Sequence, residues 1–139
     1  MPNPSVAEAR RFDPARFGTF RFTGRRYEDR TAVLEYALDD EVEFVERIRF
    51  PDADGEPSEA LLELLHLVAG VSYYKVAAPP AIEAPGSPLL EAFYTDGLAE
   101  FAYVNGITVR PRFGAATAQA VRVAPLTLPR RTAVPIGGG

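Results

Sequence analysis

Four side chains in the middle of the sequence are of types that bind anions or move protons. They are His66, the single histidine, and Tyr73, Tyr74 and Lys75, the last being the only lysine. An imidazole carries a proton near neutral pH, a phenol donates a hydrogen bond or a proton, and a lysine binds a carboxylate or phosphate. The alternative is structural: His66 is satisfied by one backbone partner at the edge of an apolar helix face, one tyrosine is in the core, the other is at its rim and Lys75 is in solvent.

Charged residues elsewhere form two more groups that could bind a ligand. Asp96 and Glu100 are one helical turn apart, where like charges weakly destabilise a helix; this invites a metal ion or a cationic partner, and the alternative is a solvated face. Residues 107–139 hold five arginines and no acidic residue, whereas residues 1–70 hold fifteen acidic residues and nine arginines. These five C-terminal arginines can bind an anion or pair with the acidic half of the chain. They are Arg110, Arg112, Arg122, Arg130 and Arg131.

The sequence ends on three glycines, Gly137, Gly138 and Gly139, directly after the apolar run TAVPI. A glycine-rich turn after a strand exposes successive N–H groups that can surround a phosphate, and a helix beyond it adds a positive dipole end. No helix follows here, so a frayed terminal tail explains the same residues. The local pattern leaves both interpretations open.

Composition limits the classes of protein to which the chain can belong. With 139 residues, 47% of them hydrophobic, it can bury one core but not two large ones. The absence of cysteine excludes disulfides, thiolate nucleophiles and Cys/His zinc sites, and we predict no metal site within the chain. A net charge of −4 without a known nucleic-acid module argues against DNA or RNA binding. No apolar stretch reaches the roughly 18 residues of a membrane span, and the N-terminus lacks a signal pattern, so we expect a cytoplasmic protein without a membrane partner.

The elements that must position these residues begin after Phe17. Period-two patterning in FRF, TAVLEYAL and VEFVERIRF predicts an antiparallel meander with one wet side, with polar turns at YEDR and DDE. The inward faces of the second and third strands are apolar; their residues are Ala32, Leu34, Tyr36, Leu38, Val42, Phe44, Ile48 and Phe50.

Two helices are predicted to cover this sheet. The first follows the N-cap Ser58 through EALLELLHLVAG to Gly70. Its inward stripe is Leu61, Leu64, Leu65 and Val68, and Leu62 and Leu67 widen this stripe until most of the helix must be covered. The segment VSYYKVAAPP then leaves it as an extended or turn segment, because paired prolines prevent helical continuation.

The second helix follows Ser87, with Pro88 at its first position, and ends at Asn105-Gly106. Its inward residues are Leu90, Tyr94, Leu98 and Phe101. Beyond it, ITVRPRF is strand-like and TAVPI is a candidate for a short buried strand.

Three stretches, LLHLVAGVSYYKVAAPP, YTDGLAEFAYVNGI and VPIGGG, together resemble the N-terminal part of the bacterial MurL family. These are the UDP-N-acetylmuramoyl-L-alanyl-L-glutamate epimerases, and the resemblance covers roughly residues 17–139 with the stretches in the family's order. In that family the glycines lead into Lys-Asp-Ser, which completes a pyrophosphate-binding loop of the ATP pyrophosphatase type. The resemblance implies that Gly137, Gly138 and Gly139 contact the nucleotide pyrophosphate, and that the chain is an N-terminal fragment ending inside this loop.

The activity that the resemblance implies is ATP- and magnesium-dependent inversion of the terminal L-glutamate of the UDP-linked muramoyl dipeptide, in peptidoglycan precursor synthesis. Removing the α-proton would place a second negative charge beside the carboxylate, so converting that carboxylate to an acyl adenylate makes the proton removable. Reprotonation from the other face and hydrolysis then give D-glutamate, and the inversion needs an acid and a base. His66, Tyr73, Tyr74 and Lys75 are candidates for catalysis, and Lys75, Arg110 and Arg112 are candidates for binding the anionic substrate.

The sequence thus predicts an α+β fold: an antiparallel β-meander packed on two helices, followed by the first strand of a missing α/β nucleotide-binding domain. The predicted organisation is a tail at 1–16, the α+β domain at 17–113, a linker at 114–131, and the first strand and glycine turn at 132–139. Two alternatives of function stay open, namely a non-catalytic scaffold or partner-binding module and another ligase with an ATP pyrophosphatase loop.

Overall fold

The computed structural model describes residues 12–115, which form a five-stranded sheet with helices packed against it. The strands are β1 Thr19–Glu28, β2 Thr31–Leu38, β3 Val42–Arg49, β4 Ala81–Pro85 and β5 Arg112–Gly114. The helices are α1 Glu59–Ala69, α2 Val71–Tyr74, α3 Pro88–Tyr94 and α4 Ala99–Asn105, with short 3-10 turns at Pro14–Arg16 and Asp96–Leu98.

The sheet is mixed, with the strand order β3-β2-β1-β4-β5. The pairs β1–β2 and β2–β3 are antiparallel, whereas β4 lies parallel to β1 and β5 parallel to β4. The predicted α+β class is confirmed, but the sheet is not the antiparallel meander that was predicted, because two parallel strands extend it beyond β1. The predicted first strand of a nucleotide-binding domain lies outside the described residues.

The added strands have little local signal in the sequence. Pro80 precedes β4 and Pro85 is its last residue, so the segment resembles a loop. Its partner β1 is far away in the chain, since Arg21 pairs with Glu83. Within the predicted strand-like stretch ITVRPRF, only the last two residues belong to β5. Both strands therefore form because they pair with residues far away in the chain, and not because of a local sequence pattern.

The inward face of β2 is as predicted: Ala32, Leu34, Tyr36 and Leu38 are all fully buried. On β3, Val42, Phe44 and Ile48 pack against this core from its rim. The β1–β2 hairpin closes through a two-residue loop, Asp29 and Arg30, with φ values of 48° and 58°. Both central residues of a type I′ turn have positive φ, so this loop matches the twist of the paired strands.

Helix α1 begins as predicted, since the Ser58 hydroxyl accepts a hydrogen bond from the Leu61 N–H at 3.2 Å. Its buried face is shifted by one residue from the predicted stripe. The residues that face the core are Leu62, Leu65, His66 and Ala69, whereas Leu61 is 57% and Leu64 40% exposed. The reason is that His66 lies inside the core, which turns the helix toward it.

The segment after α1 was predicted to be extended or a turn, but it begins with a short helix. Gly70 has right-handed φ and ψ of −58° and −22°, and the chain continues directly into α2. The prolines at 79 and 80 act only on the residues next to them, so they do not prevent a helical turn that ends at Tyr74. The predicted second helix is also divided: Thr95 leaves helical geometry, with φ of −121° and ψ of −69°, before α4 begins at Ala99.

The inward residues of that second helical segment agree with the prediction. Leu90, Tyr94 and Leu98 are buried, and Phe101 packs at the edge of the core. The N-cap Ser87 accepts a hydrogen bond from the Leu90 N–H at 3.2 Å. The last helix stops at Gly106 in the left-handed region, with φ of 64°, as the Asn-Gly pair predicts.

Candidate functional site

Three adjoining clefts surround β5, with volumes of about 510, 370 and 420 Å³. Phe113 lines all three, and we call them the β5 clefts. Arg112 lines the first with Ser87 and Glu91, and it lines the third with Glu83. Arg110 lines the second with Glu91 and Asp96. The two arginines that the sequence nominated for substrate binding therefore belong to one region.

Backbone contacts hold this region in place. The Arg112 N–H donates to the Pro80 carbonyl at 2.9 Å, and the Gly86 N–H donates to the Gly114 carbonyl at 3.0 Å. A Cβ on Gly114 would lie 3.2 Å from the Ala84 carbonyl oxygen, so β4 and β5 approach closely here because this residue is a glycine. The arginines thus stand on an ordered strand and on the residues leading into it.

The β5 clefts are lined by both positively and negatively charged side chains. Arg110, Arg112, Glu91 and Asp96 are all exposed, and among ion pairs formed within residues 12–115 neither arginine has a carboxylate partner. Glu83 pairs with Arg21 at 2.7 Å. Guanidinium groups bind carboxylates and phosphates through paired hydrogen bonds, so the clefts can hold an anionic ligand that also offers donors to the carboxylates.

The candidate Tyr74 lies in the core rather than in a cleft. Its hydroxyl donates to the Pro79 carbonyl at 3.1 Å, and burial raises the pKa of Tyr74 to about 12. Tyr36 and Tyr94 are bound in the same way, to the carbonyls of His66 and Leu67 at 2.9 and 2.6 Å. At neutral pH these phenols stay protonated and act as structural donors.

His66 is 1% exposed and lies among aromatic rings. Its Nε2 is 2.9 Å from the Glu35 carbonyl oxygen, and its ring meets Phe22 edge-on with centroids 5.2 Å apart. Burial lowers the pKa of His66, with the charge of Arg25 acting in the same direction. Within the described residues its Nδ1 has no hydrogen-bond partner. The arrangement matches the structural alternative for this residue, in which a neutral imidazole has one backbone partner.

Tyr73 is at the rim of the core, and its hydroxyl donates to the carboxylate of Glu46. Its ring stacks on Tyr36 with centroids 5.0 Å apart. The hydrogen bond to Glu46 raises the pKa of Tyr73 to about 12, and burial acts in the same direction. Sequence reasoning missed Glu46, although it left a signal: position 46 is the one charged residue in the inward row that contains Phe44 and Ile48.

Lys75 is exposed at the end of α2, with its Nζ 5.7 Å from the centroid of the Phe101 ring. It lines none of the three β5 clefts. The structure therefore brings Arg110 and Arg112 together but places Lys75 on a different part of the surface. The glycines Gly137, Gly138 and Gly139, like Arg122, Arg130 and Arg131, lie outside the described residues.

The acidic pair that was singled out for its helical spacing does not lie on one continuous helix. Asp96 is in a 3-10 turn and Glu100 is in α4, and both are exposed. In residues 12–115 as a whole, no group of three or more His, Asp or Glu side chains could hold a metal ion.

Comparison with known proteins shows the family to which this chain belongs. Residues 11–139 match the family model described as the MurL N-terminal domain. The chain belongs to the MurL N-terminal domain family. No solved structure matches it.

Curated relatives of this MurL N-terminal domain carry one name, UDP-N-acetyl-alpha-D-muramoyl-L-alanyl-L-glutamate epimerase. The chain is 40% identical to that of Xanthomonas oryzae pv. oryzae over 147 aligned residues, which cover 92% of the chain and 32% of the relative. The Salinispora tropica protein is 41% identical over 123 residues, which cover 77% of the chain and 26% of the relative. The chain thus spans about a third or less of the length of these relatives.

The helices of the domain are short. Over residues 12–115, none combines the length and the apolar character that crossing a membrane requires.

Proposed function

We propose that this MurL N-terminal domain is part of an ATP-dependent epimerase that converts the terminal L-glutamate of UDP-N-acetylmuramoyl-L-alanyl-L-glutamate to D-glutamate. The observation that carries the proposal is the 40% identity, over 92% of the chain, to a relative named for that epimerisation. The relatives are about three times longer, so the activity belongs to a longer polypeptide in which this domain is one part.

Nucleotide chemistry is proposed for the region beyond β5. The glycines at 137–139 and the additional length of the relatives are where a nucleotide site would be. There ATP would supply activation of the glutamate carboxylate as an acyl adenylate. None of the described residues is assigned as the acid or the base of the inversion.

The role proposed for this domain is to bind the anionic parts of the substrate. Arg110 and Arg112 stand on and beside β5, where the chain leaves the sheet toward its C-terminal region. The UDP-linked dipeptide carries a diphosphate and carboxylates, which guanidinium groups bind well. The carboxylates of Glu91 and Asp96 in the same clefts can accept hydrogen bonds from the hydroxyl and amide groups of such a ligand.

The function is tested by chiral analysis of the product. The full-length protein that contains this domain is incubated with UDP-N-acetylmuramoyl-L-alanyl-L-glutamate, ATP and Mg²⁺, and the glutamate released by acid hydrolysis is separated into its enantiomers. We expect D-glutamate and AMP to form together. If the glutamate stays in the L form, the proposed reaction is wrong, and if it inverts equally without ATP, the proposed activation step is wrong.

The substrate contacts are tested by kinetics of the same protein. A charged hydrogen bond is worth about 1.5–3 kcal/mol, or roughly tenfold or more in affinity. We therefore expect Arg112→Ala to raise KM for the UDP-linked dipeptide at least tenfold and to leave KM for ATP unchanged. Lys75→Ala and Lys75→Arg test the separate candidate on α2, and Arg47→Ala, an exposed position on β3, is the control. An unchanged KM with unchanged thermal stability removes the substituted residue from the substrate site.

A further inference from the structure

An apolar groove of about 440 Å³ lies between α1, the β1–β2 hairpin and the loop after β3. The buried side chains of Ala32 and Leu62 line it, together with Tyr27, Phe50 and Leu61. Phe50 is 37% and Leu61 57% exposed, so two large apolar side chains face solvent at one concave surface. The rings of Tyr27 and Phe50 lie side by side with centroids 6.5 Å apart.

The rim of this groove is acidic. Asp54 and Glu56 line it and are exposed, and neither takes part in the ion pairs formed within residues 12–115. Two nearby arginines are engaged elsewhere: Arg25 pairs with Glu59 at 2.6 Å, and an Arg30 guanidinium N–H donates to the Pro51 carbonyl at 2.7 Å. The groove therefore suits an apolar segment that carries positive charge.

The chain itself contains a segment of this composition. Residues 121–131 read VRVAPLTLPRR, with Arg122, Arg130 and Arg131, and no acidic residue follows Glu100. Prolines restrict the residues before them to extended conformations. Extended segments with prolines bind grooves lined by aromatic side chains, because little conformational freedom is lost on binding.

The topology directs this segment toward the groove. Because β5 is parallel to β4 and β4 to β1, the chain leaves β5 toward the end of the sheet where β1 finishes, and Tyr27 is the penultimate residue of β1. At about 3.3 Å per residue and 4.8 Å per strand, the path from Gly114 to this end is on the order of 16 Å. Five or six extended residues span that distance, so the segment from about residue 121 onward is within reach.

We propose that residues 121–131 of this chain dock in the groove between α1 and the β1–β2 hairpin, with their apolar side chains against Tyr27, Phe50 and Leu61 and their arginines beside Asp54 and Glu56. The docked segment would fix the direction in which the chain continues beyond residue 131. This interaction is independent of the proposed catalytic function, because it concerns only surfaces within the chain.

Disulfide trapping tests the proposal, and the absence of native cysteine makes the readout clean. In the 139-residue chain, Leu61→Cys is combined with Leu126→Cys, and a matched control combines Leu64→Cys with Leu126→Cys. Leu64 is on the same helix and 40% exposed but does not line the groove. Thermal melts of the reduced proteins verify that both variants fold.

We expect the intramolecular disulfide at positions 61 and 126 to form at least tenfold faster than the one at 64 and 126, and 1 M salt to reduce this difference. Equal rates for the two pairs would overturn the proposal. A disulfide that forms only between molecules, seen as a dimer without reductant, would also overturn it, because the occupant would then be a second copy.

Discussion

At Gly70, three aromatic side chains leave no room for a methyl group. A Cβ on this residue would lie 2.6 Å from the Tyr94 hydroxyl oxygen, 2.9 Å from Cε1 of Phe22 and 3.0 Å from Cε1 of Tyr36. The backbone conformation of Gly70 is right-handed and open to any residue, so close packing requires a glycine here. The same residue joins α1 to α2, and it therefore couples the helices to the aromatic core.

We predict that Gly70→Ala lowers the free energy of unfolding by about 1–3 kcal/mol, the usual cost of overpacking a core. Gly18→Ala is the control, because a Cβ there has its nearest neighbour, Asp39 Oδ1, at an ordinary 3.7 Å. Urea unfolding of the two variants measures the difference. Equal stability of Gly70→Ala and the wild-type protein would show that the aromatic rings are not packed as described.

His66 gives the domain a pH-dependent stability. Because burial lowers its pKa in the folded state, the unfolded chain, whose histidine has a pKa of about 6.5, binds the proton more tightly. Stability is therefore retained above pH 6.5 and is lost as the pH falls below it, by at most about 1.4 kcal/mol per pH unit for one proton.

The prediction is tested by urea unfolding at pH 7.5 and 5.5, with His66→Leu as the comparison. His66 is the only histidine, so we expect the wild-type protein to lose more stability between these values than the variant does. If the two proteins lose stability in parallel, His66 does not titrate in the manner inferred.

Single residues show what the sequence could and could not predict about the candidate site. Arg110 and Arg112 were nominated for their charge; in the structure Arg110 lines one of the β5 clefts and Arg112 lines the other two. Glu46 was not nominated, because its role depends on the hydroxyl of Tyr73, which comes from a distant helix. The charge of Glu46 within an otherwise apolar inward row is visible in the sequence, but the identity of its partner, which is far away in the chain, is not.

Among the secondary-structure elements, α1 was predicted correctly as a helix, but the predicted buried face included two exposed residues, Leu61 and Leu64. The apolar residues of EALLELLHLVA nearly surround the helix, so periodicity constrains its orientation only weakly. The contact of His66 Nε2 with the Glu35 carbonyl turns the helix by one position. The consequence is that Leu61 becomes available to the groove and Leu62 enters the core.

The orientation of α1 determines how much stability each leucine-to-alanine substitution in this helix should cost. Leu62 is 5% exposed and Leu64 is 40% exposed, so Leu62→Ala is expected to cost about 2–5 kcal/mol and Leu64→Ala about 0.5 kcal/mol or less. Leu65, which is half-buried against the core, should fall between them. The three values come from one set of urea melts. A larger loss of unfolding free energy at Leu64 than at Leu62 would show that the helix faces the core with Leu64 and not with Leu62.

Whether a strand could be predicted from the sequence depends on how far away its pairing partner lies in the chain. The three N-terminal strands and their turns follow from local alternation, and the fully buried row from Ala32 to Leu38 was predicted residue by residue. The parallel strands β4 and β5 were not predicted as a sheet extension, because β4 pairs with β1 and β5 pairs with β4, and both pairings join segments that are far apart in the chain. These two strands carry the candidate site, so its position could not be derived from the pattern alone.

For the whole molecule, the relevant fact is that the chain spans about a third of its Xanthomonas relative. We expect the 139-residue chain alone to neither release pyrophosphate from ATP nor invert the dipeptide, because the proposed reaction belongs to a polypeptide about three times as long. Pyrophosphate release above background by the purified chain would contradict this expectation.

The proposed role of this domain is tested most directly by removing it from the full-length protein. The full-length protein and a variant lacking residues 12–115 are incubated with the UDP-linked dipeptide, ATP and Mg²⁺, and D-glutamate is measured after hydrolysis, with thermal melts to verify that the shortened protein is folded. We predict D-glutamate from the full-length protein and at least a hundredfold less from the shortened one. A folded, shortened protein that inverts glutamate at the full rate would contradict the account and would make this domain a dispensable module.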